Sequence, residues 1–256
     1  MQYPEIDPIA LQLGPVAIHW YGLMYLLSFL LVYLIGNYRA NRIASGWNKE
    51  QISDLIFFGA LGVVLGGRLG YALFYNFSSY VDNPLNILKV WQGGMSFHGG
   101  LIGVIIAMIF FARTRGKTFW QVADFAAVLT PIGLFLGRIA NFINQELWGR
   151  TTDLPWGIIF PLAGPQARHP SMLYEALLEG LVLFSILWWY SSRKRPDGRV
   201  AGLFLCLYGV FRFSVEFVRE PDAHIGFIAG DWLTMGHFLC LPMITFGVWL
   251  LFTKSD

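Results

Sequence analysis

Residues 120–150 read WQVADFAAVLTPIGLFLGRIANFINQELWGR, an apolar run long enough to cross a bilayer that ends in a dense polar stretch, Gly137 to Arg150. Arg138 stands inside the apolar window and is followed at helical spacing by Asn141 and Asn144, then by Glu146. A charge at mid-membrane costs roughly 2.5 to 3.5 kcal/mol on insertion scales. Two more arginines, Arg68 and Arg212, interrupt other apolar windows, so three such costs have to be offset. Arginine stays charged, and its planar fork matches phosphate oxygens two at a time. An anionic phospholipid headgroup is therefore the first candidate, and a structural ion pair, for instance Arg212 with Glu216, is the alternative for each arginine.

The rest of the chain has the same character. Of 256 residues, 55% are hydrophobic and only 13% charged, with a mean hydropathy of +0.53, too apolar for an ordinary soluble domain. Windows near 18–38, 54–76, 98–112, 120–142, 171–191, 200–218 and 235–253 are each near the length needed to cross the hydrocarbon. They predict an all-α, polytopic membrane protein with seven transmembrane helices in a single domain, residues 1–256. One set of loops and ends holds Arg39, Arg42, Lys49, Arg113, Arg115, Lys117, Arg193, Lys194, Arg195, Arg199 and Lys254; the other holds only Lys89, Arg150, Arg168 and Arg219. That bias puts the N-terminus outside and the C-terminus in the cytoplasm.

The first apolar stretch lacks a basic leader and a small-residue cleavage site, so it reads as a retained helix, with residues 5–17 at the outer interface. Cys206 and Cys240 each lie in an apolar window and read as small buried hydrophobes. No metal motif is present, no cofactor is expected, and a net charge of +2 distributed by topology does not suggest nucleic-acid binding.

On this topology the helices carrying Arg68, Arg138 and Arg212 run from inside to outside, and the three are expected to meet in one outward-opening cavity. Tyr208, Arg212 and Glu216 recur every four residues and Arg219 follows at three, a polar stripe that faces protein or water. Gly62, Gly66 and Gly70 form a small-residue face suited to close helix packing. His98 sits among glycines in Ser96-Phe97-His98-Gly99-Gly100, at the outer entrance of the third helix, as a structural residue or as one that titrates near neutral pH. In His169-Pro170-Ser171, Ser171 is a candidate helix cap. Glu175 and Glu179 are expected to pair with basic or polar neighbours, Tyr21 fits an aromatic belt, and Arg150, Arg168 and Arg219 read as interfacial. His19, His224 and His237 carry little signal alone, and no Gly-Xaa-Ser-Xaa-Gly element supplies a nucleophile.

Six motifs in order carry a resemblance: His19-Trp20-Tyr21-Gly22, Gly67-Arg68-Leu69-Gly70-Tyr71, Ser96 to Gly100, the Gly137 to Gly149 run, His169-Pro170-Ser171, and Arg212-Phe213-Ser214-Val215-Glu216. Together they resemble the prolipoprotein diacylglyceryl transferase family over roughly residues 15–250, and the Gly137 to Gly149 run is the most specific of them. The resemblance implies a multi-pass enzyme of the bacterial inner membrane, its active site toward the periplasmic half. It would transfer a diacylglyceryl group from phosphatidylglycerol to the lipobox cysteine of a prolipoprotein, releasing glycerol 1-phosphate. It also implies importance for Tyr21, His98, Arg138, Asn141, Glu146, Gly149, Tyr208, Arg212 and Glu216; Arg68 joins them as a candidate for substrate binding.

That chemistry agrees with the residues. A thiol with an ordinary pKa near 8.5 attacks best once a base removes its proton. His98 is the candidate base, with Arg138 and Arg212 stabilising the departing phosphate. The nucleophile arrives on the peptide, so a catalytic serine or cysteine is not required. Two rivals are a lipid transporter, because intramembrane charges also mark translocation paths, and a noncatalytic lipid-binding scaffold. Product formation separates the enzyme from both.

Overall fold

The computed structural model describes residues 1–42, 46–89, 93–221 and 226–253, apart from the side chains of Ser79 and Asp82. Two compact units emerge, one of Met1–Leu34 with Asp124–Asp256 and the other of Ile35–Ala123. The long helices are α1 (Trp20–Arg42), α2 (Lys49–Phe74), α4 (Phe97–Thr114), α5 (Phe119–Ile143), α6 (Ser171–Tyr190), α7 (Arg199–Glu216) and α8 (Met235–Phe252); a short α3 (Phe77–Asp82) follows α2. All seven apolar windows thus coincide with long helices.

Six of these helices are long and apolar enough to cross a membrane. The exception is α7, whose 18 residues include Arg199, Arg212 and Glu216. Large apolar side chains point outward, among them Leu26, Phe57, Ile106 and Phe238, each more than 60% exposed. A lipid environment makes such a surface favourable on a folded chain.

The expectation of an all-α chain needs one correction. The protein is mostly helical, but Ile9–Leu13 (β1) pairs antiparallel with Val16–His19 (β2), and Ile158–Ile159 (β3) with Ala167–Arg168 (β4). The first ladder overlaps the segment read as interfacial, residues 5–17, and runs on to His19, and Gly14 makes its turn at φ +59°.

Helix starts follow local chemistry. At α2, Asn48 Oδ1 accepts from the Gln51 amide at 2.8 Å while Gln51 Oε1 accepts from the Asn48 amide at 3.2 Å, a reciprocal cap. Ser96 Oγ accepts from Gly99 N at α4. At α7 the cap comes from another helix: Asp124 of α5 accepts from the amides of Gly198 and Ala201 at 2.8 and 2.7 Å. Ser171 was expected to cap α6; instead it is the first helical residue, fully buried, and its hydroxyl donates to the Leu147 carbonyl at 2.8 Å. Pro170 precedes it, so the polar run 144–150 is the partner that claims the hydroxyl.

In the second unit α2 and α4 meet along glycines. A Cβ added to Gly66 would lie 2.8 Å from Gly103 Cα, and one added to Gly62 would lie 2.6 Å from the Gly103 carbonyl oxygen. The Gly62, Gly66, Gly70 face is therefore a packing face, and α4 is its partner. In the first unit a small core of Tyr3, Ile158, Phe160 and Met172, with Phe142 and Trp148 against it, covers the end of α5. Tyr3 donates its hydroxyl to the Ile143 carbonyl at 2.9 Å. This core fixes where the polar run begins.

Candidate active site

The polar run leaves α5 through Gln145 and Leu147, both left-handed at φ 54° and 57°, an uncommon conformation for side chains of this kind. The reversal folds Glu146 back on the helix: its amide donates to the Asn141 carbonyl at 2.8 Å, and its carboxylate accepts from the side-chain amides of Asn141 and Asn144 at 3.1 and 3.4 Å. Asn141 in turn accepts from Arg138 Nη1 at 3.3 Å. Arg138, Asn141 and Glu146 thus form one braced chain. Beside it lies an open groove of roughly 840 Å³ in which Tyr21, His19 and Leu26 face Asn144 and Glu146.

The centre of the site is a carboxylate. Glu175 of α6 is wholly buried and lies 2.6 Å from Arg138 Nε, 3.2 Å from Arg212 Nη1 and 3.8 Å from Arg219 Nε. Glu216 of α7 lies 2.6 Å from Arg212 Nη2 and 3.9 Å from Arg219 Nη1, and accepts from the Thr234 hydroxyl at 2.7 Å. Gly236 makes room for that carboxylate, since a Cβ there would sit 2.5 Å from Glu216 Cδ. Buried charges persist only where partners and hydrogen bonds replace water, and here α5, α6, α7 and the start of α8 all contribute to the replacement. Tyr208, one turn before Arg212, stacks on Phe204 at a centroid distance of 5.8 Å.

Gly149 lies where three strands of backbone converge. Its amide donates to the His169 carbonyl at 2.8 Å, and an added Cβ would lie 2.7 Å from His169 Cβ and in closer contact still with the Val218 carbonyl oxygen. Arg150 then donates from Nε to the Arg219 carbonyl at 3.0 Å, and Arg168 reaches the Gly149 carbonyl and Glu220. His169 Nδ1 lies 3.3 Å from the Tyr174 hydroxyl. Partial burial, and secondarily the charge of Arg150, hold its imidazole below the usual histidine range.

Arg68 and His98 belong to the other unit. Arg68 is 4% exposed, and its five N–H groups go to carbonyls: Nε to Ile87, Nη1 to Gly93 and Gly94, Nη2 to Asn86 and Lys89. Its guanidinium also lies over the Tyr80 ring. His98 stands exposed in the first turn of α4, edge-on to Phe97.

Of the residues singled out in the sequence, direct contacts link Arg138, Asn141 and Glu146 in one group and Arg212 and Glu216 in another, and Glu175 joins the two through Arg138 and Arg212. Arg219, read as interfacial, joins them with a side chain only 14% exposed. Glu175 has the basic partners expected of it. Thr234 and Gly236 gave no signal, because nothing in their own spacing points at Glu216. His224 lies outside the described residues, as does Lys254.

Fold and site together define an integral membrane protein whose buried cations are held ready by its own carboxylates. A family model described as prolipoprotein diacylglyceryl transferase matches residues 8–253. Relatives named phosphatidylglycerol--prolipoprotein diacylglyceryl transferase include one from Solidesulfovibrio magneticus, 59% identical over 99% of this chain and 96% of its own. Others are from Vibrio parahaemolyticus, 58% identical over 97% and 90%, and Nitratidesulfovibrio vulgaris, 57% identical over 100% and 97%. The chain belongs to the prolipoprotein diacylglyceryl transferase family.

Proposed function

We propose that this transferase moves the diacylglyceryl group of phosphatidylglycerol onto the lipobox cysteine thiol of a prolipoprotein, in the periplasmic half of a bacterial inner membrane. Seven helices cross it, with the N-terminus outside and the C-terminus cytoplasmic. The bias of basic residues supports that orientation. The inclusion of α7 is supported by its buried polar stripe, Glu216 being 3% exposed and Arg212 paired on both sides.

The observation that carries the reading is the cluster of Arg138, Arg212 and Arg219 around Glu175 and Glu216. Three guanidiniums face two directly paired carboxylates, so the site has cationic capacity left for one phosphate. In the reaction, the thiol gives its proton to a base, for which His98 is the candidate. Sulfur then bonds to the phosphate-bearing carbon of the diacylglyceryl moiety. The carbon–oxygen bond breaks with its electron pair staying on oxygen, and glycerol 1-phosphate departs. Arg138 and Arg212 neutralise the charge that grows on the leaving phosphate, and a fixed guanidinium does so without reorganising at that moment. Tyr21 and Glu146 line the groove, and Glu146 is connected through Asn141 to Arg138, a path for substrate toward that arginine.

The test is mass spectrometry of a lipobox peptide incubated with purified protein and phosphatidylglycerol, with glycerol 1-phosphate assayed in parallel. A thioether and equimolar glycerol 1-phosphate are expected. Arg138→Lys keeps the charge and loses the fork, so turnover should fall steeply with membrane insertion intact; near-normal transfer would remove Arg138 from its role. His98→Gln should lose transfer at neutral pH and regain part of it in alkali, where the thiol ionises unaided; full activity at neutral pH would show that His98 is not the base.

A further inference from the structure

One carboxyl beside the arginine cluster has no part in the chemistry above. Glu179 lies four residues beyond Glu175 and is wholly buried. Among the described residues neither of its oxygens meets a hydrogen-bond donor. It stands on a π-helical stretch, Ala176–Val182, a widened turn that is rare and occurs frequently at functional sites. Gly180 lets that turn press against α5, where an added Cβ would lie 2.6 Å from Phe135 Cβ. The titratable groups facing Glu179 are Glu175 on its own helix, Arg138 on α5, Tyr208 and Arg212 on α7, Arg219 beyond α7 and Cys240 on α8.

The charges can be counted. Arg138, Arg212 and Arg219 contribute three positive charges; Glu175 and Glu216 contribute two negative ones, each within ion pairs. With a proton on Glu179 these five ion-paired residues and Glu179 together carry one net positive charge, and without it none; Glu146, which reaches Arg138 only through Asn141, lies outside this count. Resting on the reading that Arg138 and Arg212 hold the headgroup phosphate, we propose that Glu179 is a positioning residue whose proton occupancy sets the net charge of the cluster and so its grip on one anionic headgroup. Glu175 and Glu216 cannot serve in this way, because neutralising either breaks the pairs that aim the arginines.

The experiment measures KM for phosphatidylglycerol in mixed micelles, at saturating lipobox peptide, across the pH range in which the protein stays folded. The parent KM should rise by about tenfold as Glu179 loses its proton, the scale of one unit charge acting across a partly dry site. Glu179→Gln is neutral at every pH and should hold the low KM throughout, while kcat keeps the pH course of the parent. Glu179→Leu, neutral and needing no hydrogen bond, should flatten the same curve. A parent KM that does not change with pH, or a variant KM that climbs as the parent's does, overturns the proposal. Arg138→Lys separates the two levels. If its KM and turnover match the parent's, the headgroup reading itself fails; if they move while Glu179→Gln tracks the parent, only the role of Glu179 falls.

Discussion

Replacing Glu175 by Gln removes one negative charge from a side chain that is wholly buried against three guanidiniums at 2.6, 3.2 and 3.8 Å. Breaking a buried pair from one side costs about 3 to 5 kcal/mol, because the remaining charge loses its partner and has no water to replace it. Here the arginine side chains keep 13 to 20% of their exposure, and the amide oxygen still accepts one hydrogen bond. The lower end, about 3 kcal/mol, is therefore expected. Glu50→Gln is the internal comparison: that carboxylate pairs with Arg115 at 3.3 Å, but the side chains are 72% and 34% exposed, so its loss should cost under about 1 kcal/mol. Equilibrium unfolding of both variants in one mixed-micelle system gives the difference directly. Turnover should diverge as well. The Gln variant has a more positive cluster, so KM for phosphatidylglycerol should not rise, whereas kcat should fall by about 10²-fold, the scale of a misplacement of about 1 Å. Two equal unfolding curves would mean that Glu175 does not hold the arginines, and the account of the cluster would be wrong.

Gly149→Ala should lower stability by about 1 to 3 kcal/mol, the usual cost of forcing a methyl into packed surroundings, because its Cβ meets the backbone of His169 and Val218; unfolding at the parent midpoint would refute that. Arg68→Lys replaces five fixed N–H donors with three mobile ones, so proteolysis or hydrogen exchange should increase at Pro84–Lys89, with KM for lipid moving less than in Arg138→Lys. An unaltered exchange pattern would leave those five carbonyl bonds without consequence. His169 titrates below the ordinary imidazole range in the folded protein, so the unfolded chain binds its proton first. Stability contributed there is complete above that range and is lost as pH falls through it. His169→Gln should reduce this acid sensitivity in unfolding measurements, and equal pH dependence in the two proteins would sink the assignment.

The sequence revealed what depends on one segment at a time. Each long helix is an apolar window read against bilayer thickness, and the glycine face of α2 follows from a spacing of four. Arg212 with Glu216 was legible for the same reason. Arg138 with Glu175 was not, since the partners are 37 positions apart on different helices and only packing joins them. The π-helical stretch has no sequence signature of its own, and a ladder of two residues, as in β3 and β4, is too short for alternation to show. Arg219 was placed at the interface because it follows the end of an apolar window; the chain carries it back over Glu175 and Glu216. The donors of Arg68 are a further case. Sequence identifies an arginine at depth, but only the fold shows that irregular backbone carbonyls accept from its N–H groups.

The charges of Arg68, Arg138 and Arg212 are therefore met in two different ways. Arg68 is matched by neutral carbonyls, which satisfy its donors and leave its charge, a structural solution that holds a loop together. Arg138 and Arg212 are matched by carboxylates, which cancel charge and fix direction. If these arginines hold the phosphate as proposed, carboxylate compensation carries a chemical constraint: if complete, it would leave nothing to attract a phosphate, and if absent, the guanidiniums would be neither stable nor aimed before the lipid arrives. Two directly paired carboxylates among three guanidiniums lie between those limits. A preorganised cation pays its ordering cost during folding rather than during catalysis, so stability lost on removing Glu175 and catalysis lost on removing it should have a common origin, the freed motion of Arg138 and Arg212.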